Sequence, residues 1–309
     1  MVIVRLKGGL GNQMFQYAAA RALATARGVR LGLDLAAFKA DQKRRFELDR
    51  FPISAAIASA RAIFRLTTRP QTRSQRILCR AARALTKVAG APPHRELDLL
   101  KPLGVARRVH SEPHFQFDPH FQELPGHVYL DGYWQSERYF SAIADELRRE
   151  LTVGAAAQAE VRDLEAAIRS AESVGVHVRR GDYVTEERTA AYHGTCGADY
   201  YRAAAELVRD VAEQPHFFVF SDDPEWVRTN LAFLRPSTTI GQADRTRPHD
   251  DMRLLSLCRH TIIANSSFSW WGAWLNDHPG KRVVAPARWF TDPSIDTSDL
   301  IPPRWARIG

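Results

Sequence analysis

Cysteine is scarce in this chain, with Cys79, Cys196 and Cys258 the only three. They are far apart, odd in number and form no CxxC pair, so neither a disulfide framework nor a zinc site is expected. Each reads as a small structural side chain, buried or half-buried. No apolar run approaches the ~20 residues needed to span a bilayer. Met1–Lys7 lacks the basic opening, long apolar centre and small-residue cleavage site of a secretory signal, which points to the cytoplasm. Acid is missing from one long stretch: between Phe51 and Arg95 there is no Asp or Glu.

What remains is ordinary for a globular protein. The 309 residues suit two α/β domains or one large one, and 45% hydrophobic with 25% charged residues excludes general disorder. The net charge of +8 favours an anionic partner. Much of it sits in the acid-free stretch, where Arg61, Arg65, Arg69, Arg73, Arg76, Arg80, Arg83 and Lys87 recur every three or four positions. That spacing stacks cations on one helical face, with Ile63, Phe64, Ile77, Leu78, Leu85 and Val88 expected to pack on the other. Pro70 should split the stretch into two helices. The plain reading is a solvated face of a helical insertion. The sharper one is a surface for anionic lipid or a pyrophosphate-linked glycolipid.

Alternating strands and helices fill the rest. Val2–Lys7 reads as a strand, Gly8–Asn12 as a turn, Gln13–Ala26 as a helix closed by Gly28, and Arg30–Leu35 as a second strand. A strand over 126–132 and one helix over Ser136–Leu151 follow. A second series begins after Gly154, with strands at Ser173–Val178, His216–Ser221, Thr238–Ile240, His260–Ala264 and, last, Arg282–Pro286. The pattern argues for parallel, doubly wound sheets.

Four polar turns follow apolar strands, at the edge where open α/β sheets bind ligands. Gly8-Gly9-Leu10-Gly11-Asn12-Gln13-Met14 lacks the third glycine of a dinucleotide fingerprint, yet its free N–H groups suit phosphate or sugar oxygens. Its plainer reading is a strand-to-helix turn capped by Asn12. In His177-Val178-Arg179-Arg180-Gly181-Asp182-Tyr183, alternation sends the two arginines to opposite faces. One suits a diphosphate, and the other can pair with Asp182. Ser221-Asp222-Asp223-Pro224 has DD rather than the DxD spacing that would suggest manganese. Asp223 can cap a helix with Pro224 at its first position, leaving the other aspartate free for a nucleobase. Asn265-Ser266-Ser267 opens a helix whose start suits phosphate, while Trp270, Trp271 and Trp274 are most simply core.

Together GGLGNQMFQYAAARALA, HVRRGDY, HGTCGADYY, FVFSDDPEWV and NSSFSWWGAWL resemble the bacterial α-1,2-fucosyltransferases of glycosyltransferase family 11, from residue 2 to about residue 290. The resemblance implies a GT-B-like fold of two Rossmann-type domains facing a cleft. An acceptor-side domain would cover 1–152, carrying the basic helical segment 51–95, and a GDP-fucose-binding domain would cover 153–309. It implies GDP-β-L-fucose as donor, inversion at the anomeric carbon, and neither metal nor further cofactor.

Carried across by motif, Arg179 would hold the β-phosphate and His177 would lie against the guanosine. One of Asp222 and Asp223 would read the guanine edge, and Ser266 or Ser267, beside Asn265, would touch the diphosphate. Gly9, Gly11, Asn12 and Gln13 would face donor oxygens, and an Arg180–Asp182 pair would organise the loop. The acceptor proton needs a base, for which Asp182, Glu187 and His193 are candidates. Glu187 has the offset from the HxRR motif that the base has in core fucosyltransferases, and His193 lies in the shared HG motif. The expected acceptor is a galactose-terminated oligosaccharide, free or lipid-linked as in O-antigen assembly, with peripheral membrane contact through Arg61–Lys87 and no nucleic-acid partner. Within this reading the alternative is another linkage or another GDP-sugar; outside it, two rivals are a Rossmann oxidoreductase using Gly9, Gly11 and Asp34, and a polyanion-binding protein working through the basic stretch.

Overall fold

The computed structural model describes residues 1–39, 41, 43–68, 72–88, 107–154, 159–181, 187–241 and 247–309. Asp182, Tyr183, Pro70 and residues 89–95 lie outside the described residues. The chain divides into two compact units, Met1–Glu150 and Leu151–Gly309.

In the first unit, β1 (Val2–Arg5) leads through Gly8 into α1 (Leu10–Ala26), then β2 (Leu31–Asp34) and the short β3 (Ala56–Ile57). Next come α2 (Ala60–Thr67), α3 (Arg73–Val88), β4 (Val109–Ser111), β5 (Val128–Asp131) and α4 (Ala144–Glu150). The strands form a parallel sheet in the order β3-β2-β1-β5-β4. β1 and β5 lie side by side within it. Their apolar residues are almost all buried, as a parallel sheet covered on both faces requires.

In the second unit, α5 (Ala159–Ser170) precedes β6 (Glu172–Val178), α6 (Glu187–His193) and α7 (Ala198–Arg209). There follow β7 (Pro215–Ser221), α8 (Pro224–Asn230), β8 (Ser237–Gly241), α9 (Pro248–Leu257), β9 (His260–Ile262), α10 (Ser267–Leu275), β10 (Val283–Pro286) and β11 (Ala306–Ile308). Their parallel order is β11-β10-β9-β6-β7-β8, the dinucleotide-binding order with its switch between β6 and β9. Two parallel, doubly wound sheets are what a GT-B-like fold needs.

Several expectations are corrected. The helix expected over Ser136–Leu151 breaks into tight turns at Glu137–Tyr139 and Ser141–Ile143 before α4 begins. Phe140, between them, leaves helical geometry and is fully buried against Phe15. β11 follows the strand expected to be last, and β3 and β4 were not anticipated at all. The basic stretch does split into two helices, but its apolar residues do not all turn inward. Ile63 is buried against Ile3 and Tyr129, whereas Ile77, Leu78 and Leu85 are exposed by 61%, 43% and 66%. Cys79 and Cys258 are buried and Cys196 is half-buried, all as free thiols.

Candidate donor-binding site

The second unit gathers its polar motifs at its switch point. Two of the turns lie on neighbouring strands: Val178 of β6 is in register with Ser221 of β7, so the residues that follow come out side by side. Arg179 Nη1 lies 2.7 Å from Asp222 Oδ2. Among the described residues no N–H is aligned on that oxygen, so the contact is a charge pair rather than a formed hydrogen bond. Asp222 Oδ1 accepts the Arg180 backbone N–H at 2.8 Å. Arg180 Nε donates to Asp223 Oδ2 at 3.2 Å, and its guanidinium sits 4.4 Å above the Trp226 ring.

The expected Arg180–Asp182 pair lies outside the described residues, among which the partner of Arg180 is Asp223. One expectation is revised: Asp222 is not left free but faces Arg179. The helix cap is as expected: Asp223 Oδ1 accepts the Trp226 N–H at 3.0 Å and Pro224 occupies the first turn of α8.

His177 lies near the end of β6 itself. It is 4% exposed, its ring contacts Phe268 at 5.4 Å, and its Nδ1 has no hydrogen-bond partner among the described residues. Burial, with the Arg179 charge beside it, lowers its pKa to about 3, so the imidazole is neutral at working pH. A buried polar atom without a partner is costly and commonly marks a ligand or ordered water. α7 supports this floor from beneath. Tyr201 Oη donates to the His177 carbonyl at 3.1 Å, and Tyr200 Oη to that of Ile263 at 2.6 Å.

β9 runs out at Ile262 and α10 starts at Ser267. Ser266 is the N-cap residue but its hydroxyl does not cap the helix. Asn265 is occupied elsewhere: its Nδ2 donates to the carbonyls of His193 at 2.8 Å and Trp289 at 3.2 Å. It therefore fastens the loop after α6 rather than reaching for a ligand. His193 lies at the end of that helix with its ring packed on Phe290 at 5.5 Å. Glu187 opens the same helix. Trp270, Trp271 and Trp274 are fully buried, in the core role expected for them.

In the first unit, the turn differs from expectation. Gly9, not Asn12, occupies the cap position, and Gly11 already lies inside α1. Gly8 takes φ +80°, open to glycine alone without strain. Gln13 is fully buried, donating to the carbonyls of Gly8 and Arg45 and accepting the Glu47 N–H. It pins the turn to the following loop, with both of its amide N–H groups engaged. Asn12 Oδ1 accepts from Gln135 at 2.7 Å. The start of α1 carries no side-chain cap, and its first backbone N–H groups are the donors that remain there.

The model for glycosyl transferase family 11 matches residues 113–308, well over half of the chain. The chain belongs to that family. This glycosyltransferase is 33% identical to an α-1,2-colitosyltransferase of Escherichia coli, over 100% of this chain and 99% of that one. It is 31% identical to the O-antigen biosynthesis glycosyltransferase WbnK of Escherichia coli, over 92% and 93% of the two chains. The human galactoside α-(1,2)-fucosyltransferase 1 shares 31% identity over 47% of this chain and 42% of its own. Among solved structures, the NodZ α-1,6-fucosyltransferase soaked with GDP-fucose aligns with TM-score 0.45 and 16% identity, over 89% of this chain and 92% of that one. That level is too low to add to what the two sheets already show.

Trp226 beneath Arg180 escaped the sequence reading. No spacing signals a cation over an indole 46 positions away, although the arginine pair itself did mark the loop.

Proposed function

We propose that this family 11 glycosyltransferase moves an L-fucosyl group from GDP-β-L-fucose to the 2-hydroxyl of a galactose-terminated glycan. The observation that carries the reading is the meeting, at one switch point, of Arg179, the start of α10 and a buried imidazole whose Nδ1 has no partner among the described residues.

Arg179 is a cation that cannot be neutralised by losing a proton, held by an ionic contact from which it can turn to phosphate. The C1–O bond to the diphosphate breaks and GDP leaves with the electron pair. Fixed positive charge at the β-phosphate stabilises that developing anion. The acceptor oxygen attacks the opposite face, so the β-linked donor yields an α product, and the hydroxyl proton passes to a base. Asp182, Glu187 and His193 stand as candidates for that role. Arg179 takes the electrophilic part that a metal plays elsewhere, and Asp222 and Asp223 each already face an arginine. His177 and the Ser266–Ser267 helix start complete the donor side, and the first unit supplies the acceptor side.

The α-1,2 linkage is shared by the names of the colitosyl and fucosyl relatives, which differ in the sugar moved. A colitosyl donor is the second reading, favoured by the identity that extends over the whole chain. The acceptor is an oligosaccharide, free or lipid-linked. Exposed Ile77, Leu78 and Leu85 on α3, beside Arg73, Arg76 and Arg80, suit peripheral contact with an anionic membrane. Among the described residues no helix is long and apolar enough to cross one.

The test is GDP release from GDP-fucose in EDTA with a panel of β-galactosides, comparing wild type with Arg179→Ala. Acceptor-dependent turnover that the substitution abolishes supports donor, class and site together. No turnover and no calorimetric binding of GDP overturns the reading.

A further inference from the structure

In the first unit β1 and β5 lie side by side in the sheet, and the sequence motifs leave the space at their shared carboxyl end unexplained. Lys7 follows β1 and Tyr133 follows β5, so both stand at the carboxyl edge of the sheet on neighbouring parallel strands. That is where an open α/β sheet accepts a ligand.

The chain is forced into shape here. Trp134 adopts φ +57°, the left-handed region, which a bulky residue avoids. It is held there by full burial among His110, Phe121 and Tyr139. Glu112 fastens the same turn with both carboxylate oxygens, accepting the Tyr133 N–H at 2.7 Å and the Trp134 N–H at 2.8 Å. Gly132 admits no side chain, because a Cβ would lie 2.5 Å from that of Glu112. Strain maintained by so many constraints tends to serve a function.

The turn presents Tyr133, which is 38% exposed amid a buried surround. Lys7 Nζ sits 4.7 Å from the ring centroid and 3.2 Å from Asp131 Oδ1, which fixes an ammonium beside an aromatic face. Gln16 holds the Lys7 backbone from both sides, its Oε1 accepting the N–H and its Nε2 donating to the carbonyl. An aromatic face takes the apolar C–H side of a pyranose, and an ammonium donates to its hydroxyls.

We infer that Tyr133 and Lys7 form a subsite for a neutral pyranose of the acceptor, with Glu112 as the residue that positions Tyr133. The inference rests on the transferase reading. It assigns acceptor recognition to residues outside every motif used for the donor.

The experiment is saturation-transfer NMR of β-galactosyl disaccharides on the full chain with saturating GDP, with GDP affinity measured separately by calorimetry. Wild type and Tyr133→Phe should give the acceptor signal. Tyr133→Ala should weaken it about tenfold, and Glu112→Gln should do so in part, all with GDP affinity unchanged. In turnover, Tyr133→Ala should raise acceptor KM with little change in kcat. Equal disaccharide binding in wild type and Tyr133→Ala, or none in either, overturns the subsite. Loss of GDP binding by wild type would instead overturn the transferase reading, so the two failures are separable.

Discussion

Arg179 and Asp222 face each other across 2.7 Å at the carboxyl ends of two neighbouring strands. The proposed phosphate ligand is therefore already neutralised by a carboxylate in the donor-free protein, and donor binding becomes an exchange of anions. Arg179→Ala should lower kcat/KM by ~100-fold or more, the scale of losing one transition-state donor. Asp222→Asn should cost about tenfold in kcat, because the guanidinium loses the charge that aims it. Steady-state kinetics with calorimetric GDP binding checks both.

Asn265 was expected at the donor, and its contacts make it a fastener instead. Asn265→Ala would strand the carbonyls of His193 and Trp289 in the interior, at ~2–4 kcal/mol. A drop of about 5–10 °C in Tm should follow, with GDP affinity per folded molecule nearly unchanged. A large loss of GDP affinity at unchanged Tm would return Asn265 to the donor site.

His177 gives the protein an acid limb. Its folded pKa of about 3 lies below the ordinary 6.5, so between those values the unfolded chain binds a proton that the folded one refuses. Stability should fall as pH drops through that window, by ~1.4 kcal/mol per pH unit from this group alone. Urea midpoints from pH 7 to pH 4 should show a shallower decline for His177→Gln.

The exposed apolar stripe on α3 predicts vesicle binding. Wild type should sediment with phosphatidylglycerol vesicles more than with phosphatidylcholine, and less as salt rises. Ile77→Asp with Leu85→Asp should reduce sedimentation without lowering Tm, since both side chains already face solvent.

Much of the second unit is legible in its sequence because β6 and β7 are apolar runs ending abruptly in charge. The DDP cap and the split of the basic stretch are equally local signals. β3, β4 and β11 escape because two or three residues carry no periodicity, and partners remote in sequence decide their pairing. The basic helices misled for a related reason. Apolar residues at helical spacing were assigned to a core, but on α3 the buried face is taken by Cys79 and Ala82 against Phe64. At the donor site the arginines were visible, and their partners were not. The described partners of Arg179 and Arg180, Asp222 and Asp223, each lie 43 positions away, brought alongside by the parallel pairing of two strands. Glu112 shows the same blindness, since its two hydrogen bonds reach a turn 21 residues downstream.

Asp223 holds Arg180 with one carboxylate oxygen and starts α8 with the other. Order in the first turn of that helix and the charge balance beside the proposed phosphate site are thus two readings of a single side chain. Fraying at Trp226 should release Arg180, and an anion that recruits the arginines should in turn change how often the turn opens. Amide hydrogen exchange at Trp226 would then report donor occupancy from a helix that never touches the sugar.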